Sequence, residues 1–275
     1  MLAAMRRKKI YEEIRERKSV PVPFLAKQFS VTEETIRRDL KVLEAEGMVI
    51  RTYGGAFIQD GVENLVDANI RSGAYVENKR IIAERSRQFV HEGDTIFLDN
   101  STTAFHLANE LKDMDLTVLT NNLPIINLLS HSDSIRLVVI GGIYSSTENA
   151  FCGDMTVREL DNYFVDSSFL SCRSISLENG ITDSVEKWTR LRQEVIRRSN
   201  KSYIIADHTK FGRTSYLWIC DFSSISALIT DEALSPEWHE ELGRQGCAII
   251  EEDNTGNVQK VEDLPMKKTR KVATE

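Results

Sequence analysis

The stretch that decides the reading of this chain is Val31-Thr32-Glu33-Glu34-Thr35-Ile36-Arg37-Arg38-Asp39-Leu40-Lys41-Val42-Leu43-Glu44-Ala45-Glu46-Gly47. Thr32 stands where an N-cap belongs, Glu33 and Glu34 put negative charge into the first turn, and Gly47 supplies a C-terminal stop. Ile36, Leu40 and Leu43 recur at i, i+4 and i+7, which makes one apolar stripe facing a core. The other face carries Thr35, Arg37, Arg38 and Lys41, side chains suited to meeting a partner.

The flanking residues give that helix a setting. Upstream, residues 5–18 alternate basic and acidic positions around Ile10, Tyr11 and Ile14, the pattern of an exposed helix with i,i+4 charge pairs. Pro21 and Pro23 forbid its continuation, and 24-FLAKQF-29 supplies a second short helix ended at Ser30-Val31. Two helices joined by so short a turn, the second presenting Thr and Arg outward, form a helix-turn-helix with its recognition helix placed for a major groove. Downstream, 48-MVIRTYGGAFI-58 is rich in β-formers and broken by a Gly pair, as a hairpin wing is. Arg51 and Tyr53 there suit phosphate or minor-groove contact, while Glu44 and Glu46 are expected to face away.

Charge supports this division. Residues 1–58 hold 12 Lys+Arg against 8 Asp+Glu, a net of +4, whereas the remainder holds 23 against 34, a net of −11. A basic module on an acidic body points to polyanion contact through the module alone. At 275 residues the chain accommodates one small and one larger domain, and no apolar run approaches the ~20 residues of a membrane span. The basic start has no apolar export core, so the expected compartment is the cytoplasm. Cys152, Cys172, Cys220 and Cys247 form no C-x-x-C pair and the five histidines are scattered; they imply neither a metal nor a cofactor.

The run T-I-R-R-D-L-x-x-L-E-x-x-G at residues 35–47, followed by 51-RTYGGA-56, resembles the signature of the DeoR family of bacterial transcriptional regulators. Tyr53 departs from the His more usual in that family. The resemblance implies a DNA-binding regulator, with Thr32, Thr35, Arg37, Arg38, Lys41, Arg51 and Tyr53 as its DNA contacts, double-stranded operator DNA as partner, and a homodimer or homotetramer to read paired half-sites.

Residues 59–75 have weak periodicity and mixed charge, and read as a linker. From residue 76 to 253, β-rich runs alternate with helical patterns: strands at 95–98, 116–120, 135–140, 168–171, 202–206, 225–229 and 248–250, with helices between them. Such alternation predicts a mostly parallel sheet covered on both faces, with ligands at the carboxyl ends of the strands. The tail, 254–275, loses apolar residues and is expected to be disordered. The fold class is therefore a winged helix-turn-helix (1–58) joined to a larger α/β domain that senses an effector.

Strand ends in this domain suit a hydroxylated anion. Asp99-Asn100-Ser101-Thr102-Thr103 opens a helix, which describes equally a phosphate cradle at a positive helix terminus and a hydroxyl-rich N-cap. Asn121 follows the next strand, and Gly141-Gly142 the one after, where backbone can approach a ligand. The order from the Asp99 loop through Glu178-Asn179-Gly180 to 207-DHTKFG-212 is similar to the effector domain of the DeoR family, itself similar to ribose-5-phosphate isomerase. That resemblance implies a phosphorylated sugar effector, with Ser101, Thr102 and Thr103 as phosphate contacts, Asp99 as a hydroxyl acceptor, and Glu178 and Lys210 at the same cleft. Ser101 replaces the Gly of the family loop. Arg173 stands in a stretch usually small and Gly-containing, where it either adds an anion contact or fills sugar space.

Two functions follow from these residues. The first is a repressor of a carbohydrate-utilisation operon controlled by a sugar phosphate. The rival is a sugar-phosphate isomerase with an attached DNA-binding module, for which Glu178 would be the base and Lys210 the enediolate-stabilising cation. No second carboxylate cluster accompanies Glu178, and 166-DSSFLSCRS-174 lacks the acidic residues isomerases carry there, so the expectation is a regulator and not an enzyme.

Overall fold

The computed structural model describes residues 2–17, 19–52, 54–57 and 71–252; Tyr53, residues 59–70 of the expected linker and the tail lie outside the described residues. The chain divides into two compact units, Met1–Val76 and Glu77–Glu275.

In the first unit α1 (Ala3–Arg17) buries Ile10 and Ile14, one turn apart. β1 (Ser19–Pro21) leads into α2 (Val22–Phe29), which tolerates Pro23 because first-turn N–H groups have no intrahelical acceptor. Ser30 closes α2 in the left-handed region, at φ 52°, donating its N–H to Ala26 and Lys27 carbonyls. α3 (Glu33–Ala45) contributes Ile36, Leu40 and Leu43 to a core shared with Ile10, Ile14, Val20, Leu25 and Val49. β2 (Ile50–Arg51) and β3 (Gly55–Phe57) form the expected hairpin.

Residues 19–21 were expected only to break the chain between helices. Instead β1 pairs antiparallel with β3, Ser19 opposite Phe57, giving a sheet ordered β1-β3-β2. Val20 is completely buried by that pairing. Pro21 is compatible because it sits at the end of an edge strand, where no N–H is required.

The second unit is built on seven parallel strands: β4 (Thr95–Leu98), β5 (Leu116–Thr120), β6 (Ile135–Val139), β9 (Val165–Leu170), β12 (Ser199–Ile205), β14 (Ala227–Ile229) and β15 (Ala248–Ile250). Their order is β15-β14-β12-β9-β4-β5-β6. α4 (Val76–Arg87), α5 (Thr102–Leu111) and α6 (Leu123–Leu129) supply apolar side chains to the core on one face. α8 (Glu186–Arg197) and α9 (Pro236–Arg244) do so on the other, with α7 (Asp154–Glu159) beside them. From β4 the chain walks outward through β5 and β6, then returns to β9 and walks the other way. The reversal between β4 and β9 opens a crevice at their carboxyl ends.

Two antiparallel additions had no counterpart in the expected pattern: a hairpin of β7 (Ile143–Ser145) and β8 (Ala150–Cys152), and a small sheet of β10 (Ser174–Ser176), β11 (Gly180–Asp183) and β13 (Leu217–Cys220). Both follow the carboxyl ends of parallel strands, β6 and β9, on the side of the crevice.

Candidate DNA-binding face and effector cleft

Thr32 caps α3 with its side chain, accepting from the Thr35 amide, and the two threonine hydroxyls lie 2.9 Å apart. The arginines beyond them are not solvated singly. Arg37 bonds Glu33 at 2.8 Å and Arg38 meets Glu34 at 3.4 Å, each one helical turn back. On the wing, Arg51 bonds Glu44 through its side chain at 3.0 Å and its backbone N–H at 3.3 Å. Glu44, expected to face away, instead pairs with the wing arginine, because a carboxylate at the end of α3 reaches β2 directly. Lys41 is exposed and has no ion-pair partner among the described residues. Asp39 turns inward and ties α1 to α3 through Arg6 at 2.6 Å and Arg7 at 3.8 Å, with only 5% of its side chain exposed.

In the second unit the Asp99 loop sits at the sheet reversal. Asp99 is fully buried, and its carboxylate accepts from the backbone N–H groups of Ser101 and Ser171 and from Arg192 Nε at 3.1 Å. Its acceptors are therefore engaged by the protein, which assigns it to holding the loop and leaves a ligand hydroxyl little to reach. Ser101 Oγ caps α5 by accepting from the Ala104 N–H. Thr103 is buried, so Thr102, half-buried in the first turn, is the hydroxyl of this loop best placed for a ligand.

Asn121 donates its side-chain N–H to the Phe151 carbonyl at 2.8 Å and accepts from the Phe151 N–H with its backbone oxygen, clasping β8. Its Oδ1 is buried with no hydrogen-bond partner. A flip of this amide would set oxygen against oxygen at Phe151, which leaves Oδ1 as the atom without a protein partner. Neighbouring Asn122 ties α6 to the loop, reaching the carbonyls of Asp99 and Ser101.

Gly141 and Gly142 differ in kind. A Cβ on Gly141 would meet nothing within 4 Å, whereas one on Gly142, at φ +143°, would come within 2.1 Å of Thr156 Oγ1 and 2.7 Å of the Cys152 carbonyl. Gly142 is there for packing. Arg173 is half-buried before β10, and Lys210 is half-buried in the turn after β12. Glu178 stands exposed at the tip of the β10–β11 turn, and no hydrogen bond or ion pair among the described residues joins it to the Asp99 loop.

Sequence reasoning missed the residue that joins these strand ends. Arg192, on the buried face of α8, spans Asp99 at 3.1 Å, Asp183 at 2.5 Å and Asn100 at 3.4 Å. Asp183 in turn accepts from the N–H groups of Ser184 and Val185. One guanidinium thus fixes the ends of β4 and β11 and the entry to α8. Burial opposes its charge, yet Asp183 and then Asp99 raise its pKa. Its signal was an arginine one turn after Trp188 and one before Ile196, inside an otherwise apolar stripe. Cys172 lies in the same surroundings, and burial pushes its thiol up despite Arg192, which leaves it protonated and no nucleophile.

A second junction follows β12. His208 bonds Asp231 through both its backbone N–H and Nδ1, each at 2.7 Å, and Asn78 of α4 donates to the same carboxylate at 2.6 Å. Arg85 of α4 donates to the Thr230 and Asp231 carbonyls. Burial works against the charge of His208, but the hydrogen bond and charge of Asp231 outweigh it and raise the pKa. Asp231 is likewise lowered despite burial, by His208 and Asn78. Glu232 brings a third ligating atom within 4.8 Å, though protein donors already serve Asp231 without an ion.

Comparison with known proteins agrees with this division. The family model described as the DeoR-like helix-turn-helix domain matches residues 6–61, and that described as the DeoR C terminal sensor domain matches residues 74–232. An HTH-type transcriptional regulator of Bacillus subtilis (strain 168), YulB, is 39% identical over 236 residues, 86% of this chain and 92% of that protein. A putative aga operon transcriptional repressor of Escherichia coli O157:H7 is 31% identical over 248 residues, 89% of this chain and 92% of that one. The L-fucose operon activator of Haemophilus influenzae is 31% identical over 210 residues, 76% and 84% of the two chains. These relatives are named as regulators and not as enzymes.

Proposed function

Since the chain belongs to the DeoR family of transcriptional regulators, we propose that it represses a carbohydrate-utilisation operon and that a phosphorylated sugar in the β4–β9 crevice sets its grip on operator DNA. α3 enters the major groove with Thr32, Thr35, Arg37, Arg38 and Lys41, and the wing reaches the backbone through Arg51 and Tyr53. One recognition helix reads few base pairs, so two copies on paired half-sites, in a homodimer or homotetramer, supply the affinity.

The observation that carries the effector reading is the orphaned Oδ1 of Asn121 at the carboxyl end of β5. An acceptor without a partner calls for a ligand that donates, as a sugar hydroxyl does. The first turn of α5, with Thr102, takes the phosphate, and Lys210 offsets its charge. Occupancy at the Lys210 turn reaches α4 through His208, Asp231 and Asn78, and α4 is where the chain enters this unit. A coupling of 1–3 kcal/mol, roughly 5–150-fold in affinity, is the ordinary range for such a link.

The test is a thermal-shift screen of pentose and hexose phosphates. A true effector at about 100-fold its Kd adds about 2.7 kcal/mol to stability, and the Thr102→Ala/Lys210→Ala variant loses that increment. Undiminished stabilisation of the variant moves the site elsewhere.

A further inference from the structure

The arginines assigned to DNA are restrained before any DNA arrives. All three arginines of the recognition helix and wing are held by carboxylates: Arg37 by Glu33, Arg38 by Glu34 and Arg51 by Glu44. All three acids lie on α3, Glu33 and Glu34 at the end nearest the turn and Glu44 at the far end, from which it reaches across to β2. We propose that Glu33, Glu34 and Glu44 are specificity-determining residues of the DNA interface, which hold these arginines away from the phosphate backbone and thereby suppress sequence-independent binding. The proposal rests on α3 and the wing being the DNA-binding face.

The exposure of the pairs argues against a purely structural role. The Arg38 and Glu34 side chains are 80% and 64% exposed, and Arg37 and Glu33 are 34% and 45% exposed. Ion pairs so open to solvent add little to stability. α3 is already capped by Thr32 and closed at Gly47, and its inward face is held by Ile36, Leu40, Leu43 and the buried Asp39 pairs. Glu44 is not an i,i+4 partner within a helix at all: it grips both the side chain and the backbone of Arg51 on another element.

On DNA each pair becomes a competition. A phosphate that draws an arginine away from its glutamate leaves that carboxylate well within a Debye length, about 8 Å at physiological salt, of the polyanion. Random sequence offers phosphates without the matching set of base edges, so non-specific binding bears most of that opposition. An operator adds base-edge hydrogen bonds, which Arg makes bidentate to guanine, and these offset it. The glutamates therefore widen the ratio between specific and non-specific affinity, the quantity that matters in a genome of competing sites.

The experiment needs no knowledge of the operator. Full-length parent, Glu33→Gln/Glu34→Gln, Glu44→Gln and Arg37→Ala/Arg38→Ala proteins are titrated against a fluorescent duplex of random sequence over a series of salt concentrations, with unfolding midpoints measured alongside. Both glutamine variants are expected to bind random duplex several-fold more tightly than the parent at low salt. Arg38, released from Glu34, neutralises a further phosphate, so the double variant's plot of log K against log salt should steepen by about 0.9. The unfolding midpoints should stay near the parent's, and the arginine double variant should bind more weakly. Equal or weaker binding by the glutamine variants, with weakening by the arginine variant, overturns the proposal while leaving the DNA-binding face in place. No change in the arginine variant overturns the assignment of the face, and the proposal with it.

Discussion

Replacing Arg192 with Met tests the reading of the crevice most severely at the level of stability. The substitution keeps the length and apolar stem of the side chain but removes the guanidinium shared by Asp99, Asp183 and Asn100. Asp99 is fully buried and Asp183 is 5% exposed, so two carboxylates are left in the interior without their cation. Removing one partner of a buried pair costs about 3–5 kcal/mol. At roughly 2–4 °C per kcal/mol for a domain of this size, that is a fall of roughly 6–20 °C. All three tryptophans, Trp188, Trp218 and Trp238, belong to the second unit, so their fluorescence reports its unfolding alone. Replacing the whole cluster, Arg192→Met with Asp99→Asn and Asp183→Asn, should recover much of the loss, since a neutral set leaves no charge unpaired. If Arg192→Met unfolds within about 1 kcal/mol of the parent at pH 7, well below that expected cost, the guanidinium does not hold these strand ends and the account of the crevice fails.

Gly142→Ala should destabilise the second unit by more than about 2 kcal/mol, combining overpacking with a backbone Ala resists, whereas Gly141→Ala, which meets nothing, should fall within ~1 kcal/mol in a urea titration. The raised His208 contributes stability that is complete below its ordinary value near about 6.5 and is lost as pH rises through its folded value. The lowered Asp231 contributes above about 3.9, a share lost as pH falls through its folded value. Their joint contribution is therefore greatest between roughly pH 4 and 6.5, and Asp231→Asn should flatten the parent's decline in urea midpoint from about pH 6 to 8, the region where His titrates. Asp39→Asn removes the acid between Arg6 and Arg7 in the first unit and should lower its melting point, read by far-ultraviolet circular dichroism, while leaving the tryptophan transition unmoved.

What could be read in the sequence was what depends on near neighbours. Thr32, the Ile36–Leu40–Leu43 stripe and Gly47 define α3 within one segment, and the parallel core follows from runs whose periodicity needs no partner to be seen. β1 escaped because it exists only by pairing with β3, more than thirty residues on. β7, β8 and β10 are three-residue strands, too short for any period to show. At the site, Thr102 and Asn121 were visible as polar residues at strand ends, while the roles of Asp99 and Gly142 changed once their neighbours were known. Glu33 and Glu34 were read as first-turn charge for the helix dipole. Their i,i+4 spacing to Arg37 and Arg38 was equally in view, and the structure gives it the greater weight.

A sugar phosphate bound at the crevice is proposed to change the hold on DNA. The most direct test is the affinity of the full-length protein for its operator, with and without a sugar phosphate that stabilises it in the thermal screen, at one fixed salt concentration. Operator affinity should change by roughly 5-fold or more for the parent, and not at all for Thr102→Ala/Lys210→Ala. An operator affinity that stays the same while the parent is demonstrably saturated with that ligand would contradict the proposal.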